Sequence, residues 1–470
     1  MHGKDLTTGS VARNLIAFSI PMLMGSLAHT TYSIINVAWV GNGLGTDAMA
    51  AITVSFPILF LLMAVAGGLT MATNTLVAQA YGAKDEVRIR QVIQSSLSLT
   101  VLFGTLCLIA GQAGAEYAVR AMGTPPEVAP LAAGYLRLFV WTTPFMFGMF
   151  LLASTMRGIG DSKTPLYFQV GSLLVTIALD PILMFGWLGF PRFGLNGTAL
   201  ATVVTQAGAF VALAVYLHRK KHTASPDWSH WRIDVGTLLL VLRIGVPSML
   251  QQAIVALGTL GVVRLVNHFG AESAAAYGIA MRIDQLAFMP AMAISGACCS
   301  VAGQNIGAGL FDRVRGVLQW GWIIALSFTL PAFLLCTSIP SFLMALFAHH
   351  DEVVIHTGAH YLRIASPGYL MVAIMFVCNG VINGSGHTLP TTLFTAVTFF
   401  VVRVPLAMFL PQWFGSVDGI WYAILFSYVA GMTLSLLYYS TGRWKRPVFI
   451  RNRYPLRAPV ETLAQEETGG

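Results

Sequence analysis

Long apolar stretches alternate with short polar segments along almost the whole chain. Twelve of these stretches reach the roughly 20 residues that a helix needs to cross the hydrocarbon core of a bilayer. Because lipid cannot satisfy backbone N–H and C=O groups, a helix is the expected form of each stretch. The pattern therefore predicts an all-α integral membrane protein with twelve transmembrane helices, at residues 15–40, 49–80, 92–113, 131–156, 166–188, 195–217, 238–268, 277–302, 316–347, 360–384, 390–411 and 418–440.

Composition strengthens the membrane assignment. Of the 470 residues, 56% are hydrophobic and only 10% are charged. Soluble domains carry about 25% charged residues. Too few polar side chains are present to cover a water-exposed surface, so the lipid bilayer is the expected partner of most of this surface.

The basic residues are distributed unevenly between the two sides of the predicted membrane. The net charge is +8, and 20 of the 27 Lys and Arg residues fall on the side of the N-terminus, against two in the opposite loops. Short cytoplasmic loops are the ones enriched in Lys and Arg. The charge is thus a topology signal that predicts both termini in the cytoplasm, and it gives no reason to expect a nucleic-acid partner.

The second half of the chain repeats the signature of the first at an offset of 225 or 226 residues. The matching elements are Pro21 with Pro247, Gln79–Ala83 with Gln304–Ala308, Tyr135–Arg137 with Tyr361–Arg363, and Arg157–Gly160 with Asn383–Gly386. Six helices per half is an even number, so the halves enter the membrane from the same side and form two parallel six-helix repeats. The predicted units are a half at 1–217, a linker at 218–237, a half at 238–445 and a disordered tail at 446–470.

These motifs resemble the multidrug and toxic compound extrusion (MATE) family over residues 10 to 440. Gln79–Ala83 and Gly303–Ala308 are similar to its paired Gln-x-x-Gly-Ala elements, and Arg157–Asp161 to its loop after helix 4. Asp180-Pro181 and Tyr277–Asp284 resemble its helices 5 and 8. The resemblance implies a V-shaped bacterial inner-membrane transporter that exports cationic or amphipathic compounds in exchange for H⁺ or Na⁺, and we expect a monomer without cofactor.

The chain departs from the family pattern at positions where relatives carry acids. Many members have an Asp in helix 1, where this chain has Asn36. Some Na⁺-coupled members use a Glu in helix 7 and an Asp in helix 10, where this chain offers Gln251, Gln252 and Asn379. Amides bind by hydrogen bonds but do not titrate. H⁺ is therefore the expected coupling ion, and Na⁺ coupling stays an alternative.

Only two acidic residues lie well inside apolar stretches, Asp180 and Asp284. Acids within transmembrane segments are costly and are functional candidates. Pro181 has no N–H, so the carbonyl of Ile177 loses its helix partner beside the Asp180 carboxyl. The predicted cation-coupling residues are Asp180, Asn36, Thr176 and Thr202; the alternative for Asp180 is a structural acid at the proline kink.

Substrate is expected between the halves, where their first helices face each other. Polar side chains there provide hydrogen bonds, and the abundant Met and Phe provide an adaptable apolar wall. The predicted substrate-binding residues are Tyr32, Ser33, Gln251, Gln252, Asn379 and Asp284. For Asp284 a structural ion pair or a helix-end position is the alternative.

Two other functions are compatible with parts of the pattern. A flippase for a lipid or a lipid-linked saccharide would hold phosphates with cationic residues, for which the intramembrane residues Arg264 and Arg403 are the candidates. An enzyme is disfavoured because no nucleophile–base pair, metal-ligand motif or P-loop is present. Without a nucleotide-binding motif, an ion gradient must drive transport, and we predict no metal site.

Overall fold

The computed structural model describes residues 3–226, 234–348 and 351–446, and this part of the chain contains helices and no strand. The helices are α1 Val11–Leu44, α2 Thr46–Gly82, α3 Glu86–Ala121, α4 Ala129–Val140, α5 Thr143–Gly158, α6 Lys163–Phe185, α7 Leu195–Arg219, α8 Val235–Asn267, α9 Ala271–Gly307, α10 Phe311–Ser338, α11 Pro340–Ala345, α12 Glu352–Ala365, α13 Pro367–Gly384, α14 Thr388–Ala396, α15 Val404–Phe414 and α16 Asp418–Ser440. The predicted tail lies almost entirely outside the described residues.

The helices confirm the predicted all-α membrane fold. Within the described residues, eleven spans are long and apolar enough to cross a bilayer, and α4 with α5 forms a twelfth that bends by 45°. This span was predicted as one helix, but Pro144 stands in the first turn of α5. Because proline removes a helix hydrogen bond and clashes with the preceding turn, the span breaks there.

The spans of the second half carry interruptions that the hydrophobic pattern does not show. The stretch predicted at 360–384 is divided before Pro367 into α12 and α13. The stretch predicted at 316–347 ends as a long helix at Ser338 and continues as the short α11. Between α14 and α15 the span widens into a π-helix at Val397–Arg403. Such π segments are frequent at functional sites.

The two halves meet chiefly through α2 of the first half, which packs against α8 and α9 of the second. Helix α1 also contacts the second half, against α9 and α10. At the ends of α2 and α9 the contact leaves no room for side chains: a Cβ on Gly82 would lie 1.9 Å from the carbonyl oxygen of Gln304, and one on Gly307 would lie 1.9 Å from that of Gln79. We call this α2–α9 contact the seam. The membrane side on which it lies is called the basic face, because Lys84, Arg88 and Arg313 are nearby in sequence.

The first helices of the halves, α1 and α8, do not form a helix pair of their own. Helix α1 lies along α6 and α9, and α8 lies along α2 and α14. In α2 the residues from Thr73 to Gly82 are buried, whereas Phe56 and Leu61 nearer its start are 62% and 58% exposed. The halves are therefore joined toward the basic face, and we infer a cleft between them toward the other side.

Candidate functional site

Asp180 lies at the centre of a polar cluster inside the N-terminal half. Its side chain is fully buried on α6, directly before the kink-forming Pro181. The side-chain amide of Asn36 on α1 donates a hydrogen bond of 3.0 Å to Asp180 Oδ2. Asp180 Oδ1 is buried without a hydrogen-bond partner among the described residues. The carboxyl group thus has one occupied oxygen and one open oxygen.

Neutral hydroxyl groups complete the surroundings of Asp180. The Tyr32 hydroxyl lies between Asp180 and Thr202, and Tyr135 from α4 lies within electrostatic reach of the carboxyl. Among the described residues, no cationic side chain lies within electrostatic reach of the Asp180 carboxyl. A buried carboxylate without a countercharge is unfavourable, and uptake of a proton or a cation removes the penalty.

The two threonines predicted for this site point elsewhere. Thr176 donates to the carbonyl oxygen of Ser172 at 2.8 Å, and its hydroxyl lies 2.9 Å from that of Thr205 on α7. Thr202 donates to the carbonyl oxygen of Thr198 at 2.9 Å, while the Tyr32 hydroxyl approaches it from α1. The threonines therefore join α6 to α7 and α7 to α1, and the direct bond to Asp180 comes from Asn36.

Asp284 lies in a different kind of cluster, inside the C-terminal half. The hydroxyl of Tyr361 donates to Asp284 Oδ2, and that of Tyr369 donates to Oδ1 at 2.6 Å. Arg403 is within electrostatic reach, held by a 2.8 Å bond from its Nε to Ser427 Oγ. Both oxygens of Asp284 are therefore bonded inside the C-terminal half, and only 7% of its surface is exposed.

Among the remaining predicted binding residues, some side chains are hydrogen-bonded to other helices and others are exposed. Gln251 Nε2 donates to Thr395 Oγ1 at 2.9 Å, which ties α8 to α14. Asn379 Oδ1 accepts a 2.9 Å bond from Ser435, inside the C-terminal half. By contrast, Gln252 and Ser33 are exposed. The Nε2 atom of Gln252 lies 3.8 Å from the position of a Cβ on Gly67 of α2, so this side chain is at the junction of the two halves.

Sequence reasoning predicted Tyr32, although for the substrate site, and missed Tyr135, Tyr361 and Tyr369 at the two acids. Tyr135 approaches Asp180, and Tyr361, its counterpart in the repeat, bonds Asp284. The offset of the repeat was the signal that could have found them, because it aligned Tyr135 with Tyr361 before either had a role. The acids themselves are not repeat counterparts: Asp180 lies on the fifth span and Asp284 on the eighth.

Within residues 3–226, 234–348 and 351–446, no group of three or more His, Cys, Asp or Glu side chains comes close enough to hold a metal ion. The five cysteines, Cys107, Cys298, Cys299, Cys336 and Cys378, are free thiols.

The chain is similar to known membrane proteins over nearly its whole length. A probable multidrug resistance protein of Bacillus subtilis, YoeA, is 31% identical over 453 residues, covering 94% of this chain and 96% of the relative. A second one from the same organism, YpnP, is 30% identical over 450 residues, covering 95% of this chain and 98% of the relative.

Solved structures share the fold. A MATE transporter in complex with MaD3S superposes with a TM-score of 0.87 at 22% identity, covering 96% of this chain and 99% of that structure. The model of the MatE family matches the chain twice, at residues 21–182 and 247–409. The two matches fall in the two halves and coincide with the internal repeat. The chain belongs to the MATE family of membrane transporters.

Proposed function

We propose that the protein is an antiporter that exports cationic or amphipathic small molecules in exchange for H⁺, with its basic face in the cytoplasm of a bacterial cell and the inner membrane as its location. The relatives named multidrug resistance proteins support the substrate class. The excess of Lys and Arg on the basic face supports the orientation. A monomer is sufficient for this function, because the cleft lies between the halves of one chain.

The observation that carries the proposal is the open oxygen of Asp180. The carboxyl is fully buried, has no cationic partner among the described residues, and leaves Oδ1 without a donor. Proton uptake on Oδ1 neutralises the group and turns an unsatisfied acceptor into a donor. Asp180 can therefore exist in a charged and a neutral form, which is what an H⁺-coupled cycle requires.

The arrangement favours H⁺ over Na⁺. A hard cation needs several oxygen ligands directed at one point. Asn36 instead turns its amide nitrogen toward Asp180, so the nearest neighbour offers a donor where Na⁺ would require an acceptor. The acids that Na⁺-coupled relatives carry in the second half are replaced here by Gln251, Gln252 and Asn379, two of which are engaged in helix contacts.

Helix α1 connects the proton site to the cleft. Asn36 and Tyr32 on α1 face Asp180, while the neighbouring Ser33 is exposed. Proton uptake changes the bonding between α1 and α6, and α1 also packs against α9 of the other half. A ligand shifts a conformational equilibrium by its difference in affinity for the two states, so the proton and the substrate compete through the position of α1.

The flippase alternative finds less support in the geometry. Arg403 is buried, bonded to Ser427, and stacked 4.2 Å from the Phe399 ring centroid and 4.8 Å from that of Tyr428. It is thus committed to the interior of the C-terminal half and is not available to a lipid phosphate.

The test is transport by the purified protein in liposomes with an imposed pH gradient or an imposed Na⁺ gradient, using a panel of cationic dyes. We expect a pH gradient alone to drive accumulation against the dye gradient, and a Na⁺ gradient alone to have no effect. Transport that requires Na⁺ and ignores pH would overturn the proposed coupling. Failure of every cationic dye, together with transport of a labelled lipid, would favour the flippase.

A further inference from the structure

The N-terminal segment, residues 3–9, crosses the seam between the halves. We call this segment the strap. Its Leu6 is fully buried and packs in a hydrophobic cluster with Leu15 and Phe18 of α1 and with Val301 and Ile306 of α9. An apolar side chain in a polar N-terminal segment is thus seated in the core of the opposite half.

The strap is bonded to the C-terminal half through its backbone. Leu6 N donates to Gln304 Oε1 at 2.9 Å, and Asn305 Nδ2 donates to Leu6 O at 3.3 Å. Arg313 Nη2 donates to Gly9 O at 2.9 Å. Because these side chains bond backbone atoms of the strap, they fix the position of its main chain on α9 and α10.

The other side of the strap rests on the N-terminal half. A Cβ on Gly160 would lie 2.1 Å from the carbonyl oxygen of Lys4, and Gly160 has a φ of +91°, so glycine is required there. Asn14 Nδ2 donates to Thr8 O at 2.8 Å. The strap therefore spans from the α5–α6 turn of one half to α9 and α10 of the other.

Two glutamines at equivalent positions of the two repeats, Gln79 and Gln304, close the seam beneath the strap. Gln79 Nε2 donates to Gly384 O at 2.7 Å, and Gln304 Nε2 donates to Gly158 O at 2.9 Å. The oxygens of the two amides differ. Gln304 Oε1 accepts from Leu6 of the strap, whereas Gln79 Oε1 is buried without a partner among the described residues. The two glutamines therefore close the seam in equivalent ways, and the strap adds a hydrogen bond at Gln304 only.

The first residues of the strap border open space. A cavity of about 770 Å³ lies beside it, lined by strap residues, the start of α1, the α5–α6 turn and the end of α7. Segments with few buried contacts open at low free-energy cost. Leu6 with its two backbone bonds is the main anchor.

We infer that the strap is a latch that holds the seam closed, and that Gln304 and Leu6 are positioning residues for the transport cycle. The inference rests on the proposed transport function, because alternating access requires the seam to open so that substrate enters from the cytoplasm. Opening separates α2 from α9, and the strap, which contacts both halves, must leave one of them first.

The chain contains its own reporter of seam opening. Cys299 is 1% exposed within the seam, where its Sγ lies 3.6 Å from Asn74 Nδ2 and 3.6 Å from Thr75 Oγ1. In inside-out membrane vesicles, a membrane-impermeant maleimide reaches Cys299 only when the seam opens. The modified residue is located by mass spectrometry in a Cys298→Ala background, which removes the adjacent thiol.

Leu6→Ala is expected to raise the labelling rate of Cys299 about tenfold, a factor that corresponds to about 1.4 kcal/mol. Leu15→Ala is the matched control, because Leu15 is equally buried in the same cluster but belongs to α1. We expect it to leave labelling near the wild-type rate. If Leu6→Ala is not inserted stably, Asn14→Ala, which frees the strap at Thr8, must raise labelling in the same way.

Equal labelling of wild type and of the strap variant that inserts would overturn the latch, and so would an equal rise in Leu15→Ala. The readout needs neither substrate nor gradient. A wild type that fails to transport would therefore contradict the proposed function and leave the labelling comparison intact.

Discussion

The two halves bury one acid each and stabilise it in opposite ways. In the C-terminal half, Asp284 accepts hydrogen bonds from Tyr361 and Tyr369, with Arg403 within electrostatic reach. In the N-terminal half, Asp180 accepts from Asn36 and approaches Tyr32, and its Oδ1 stays open. Removing an ion from water costs several kcal/mol unless hydrogen bonds and countercharges replace the lost hydration.

The difference separates an acid that is bonded at both oxygens from one that has an open oxygen. A fully bonded polar network makes one arrangement rigid, whereas a partly bonded one leaves a group able to change its state. Asp284 joins α9 to α12 and α13 through hydrogen bonds on both of its oxygens. Asp180 lies beside a proline kink, at the contact of α1 with α6, where a change of charge can move a helix. Burial alone therefore does not distinguish the two acids; the hydrogen bonding of both carboxylate oxygens does.

Exchanging each acid for its amide gives the largest expected effect. Asp180→Asn should abolish dye accumulation driven by a pH gradient while membrane insertion is retained, because the amide is similar in shape but binds no proton. Asp284→Asn should retain pH-driven accumulation in the molecules that insert, and lower the yield, because the amide NH₂ replaces one of the two oxygens that accept hydrogen bonds from the tyrosine hydroxyls. The measurements are liposome transport and yield in the membrane fraction. The comparison fails if Asp180→Asn still accumulates dye or if Asp284→Asn alone loses coupling.

Removing the tyrosine donors should affect stability more in the C-terminal half. Tyr361→Phe or Tyr369→Phe leaves a buried carboxylate oxygen without its donor, which costs about 2 kcal/mol. Tyr32→Phe at Asp180 should cost less than about 1 kcal/mol, because Asn36 still bonds the carboxyl. Thermal unfolding of the purified variants in detergent measures both. Equal losses at the two acids would show that the halves stabilise them alike.

The smallest effect is expected in the cleft. Gln252→Ala should weaken substrate binding about fivefold, or roughly 1 kcal/mol for one hydrogen bond, and by the same factor at two pH values. In the wild type, affinity should fall as pH falls because proton uptake by Asp180 displaces substrate, and Asp180→Asn should remove that dependence. Gln251→Ala is the control, since the Gln251 amide is bonded to Thr395 and not open to the cleft. Unchanged affinity in Gln252→Ala at both pH values would remove this residue from the site.

The sequence predicted the architecture better than the contacts. Hydrophobic length gave twelve spans because a bilayer imposes a minimum helix length, and the repeat offset gave the two halves. The breaks at Pro144 and Pro367 were missed because hydropathy does not register the loss of a backbone N–H. Asp180 and Asn36 were predicted together, and the structure joins them by a hydrogen bond.

The remaining site residues show why side-chain partners are hard to predict from sequence. Thr176 is one helical turn from Asp180, yet its hydroxyl bonds toward α7. Gln251 and Gln252 are neighbours, but a helix turns by about 100° per residue, so one contacts α14 and the other lies open. The tyrosine partners of Asp284 lie 77 and 85 residues further along the chain, so no local pattern around Asp284 identified them.

The strap also has a consequence for the biogenesis of the protein. Leu6 is separated from Gln304 by 298 positions, so its binding site does not exist until the ribosome has added α9, the eighth span. At roughly 5–20 residues per second, that interval is about 15 to 60 seconds. Throughout this interval Leu6 lacks its partners in α9, while the spans of the N-terminal half are being made. The strap is therefore synthesised long before the helices that bind it, and its docking requires α9 and α10 of the C-terminal half to be in place.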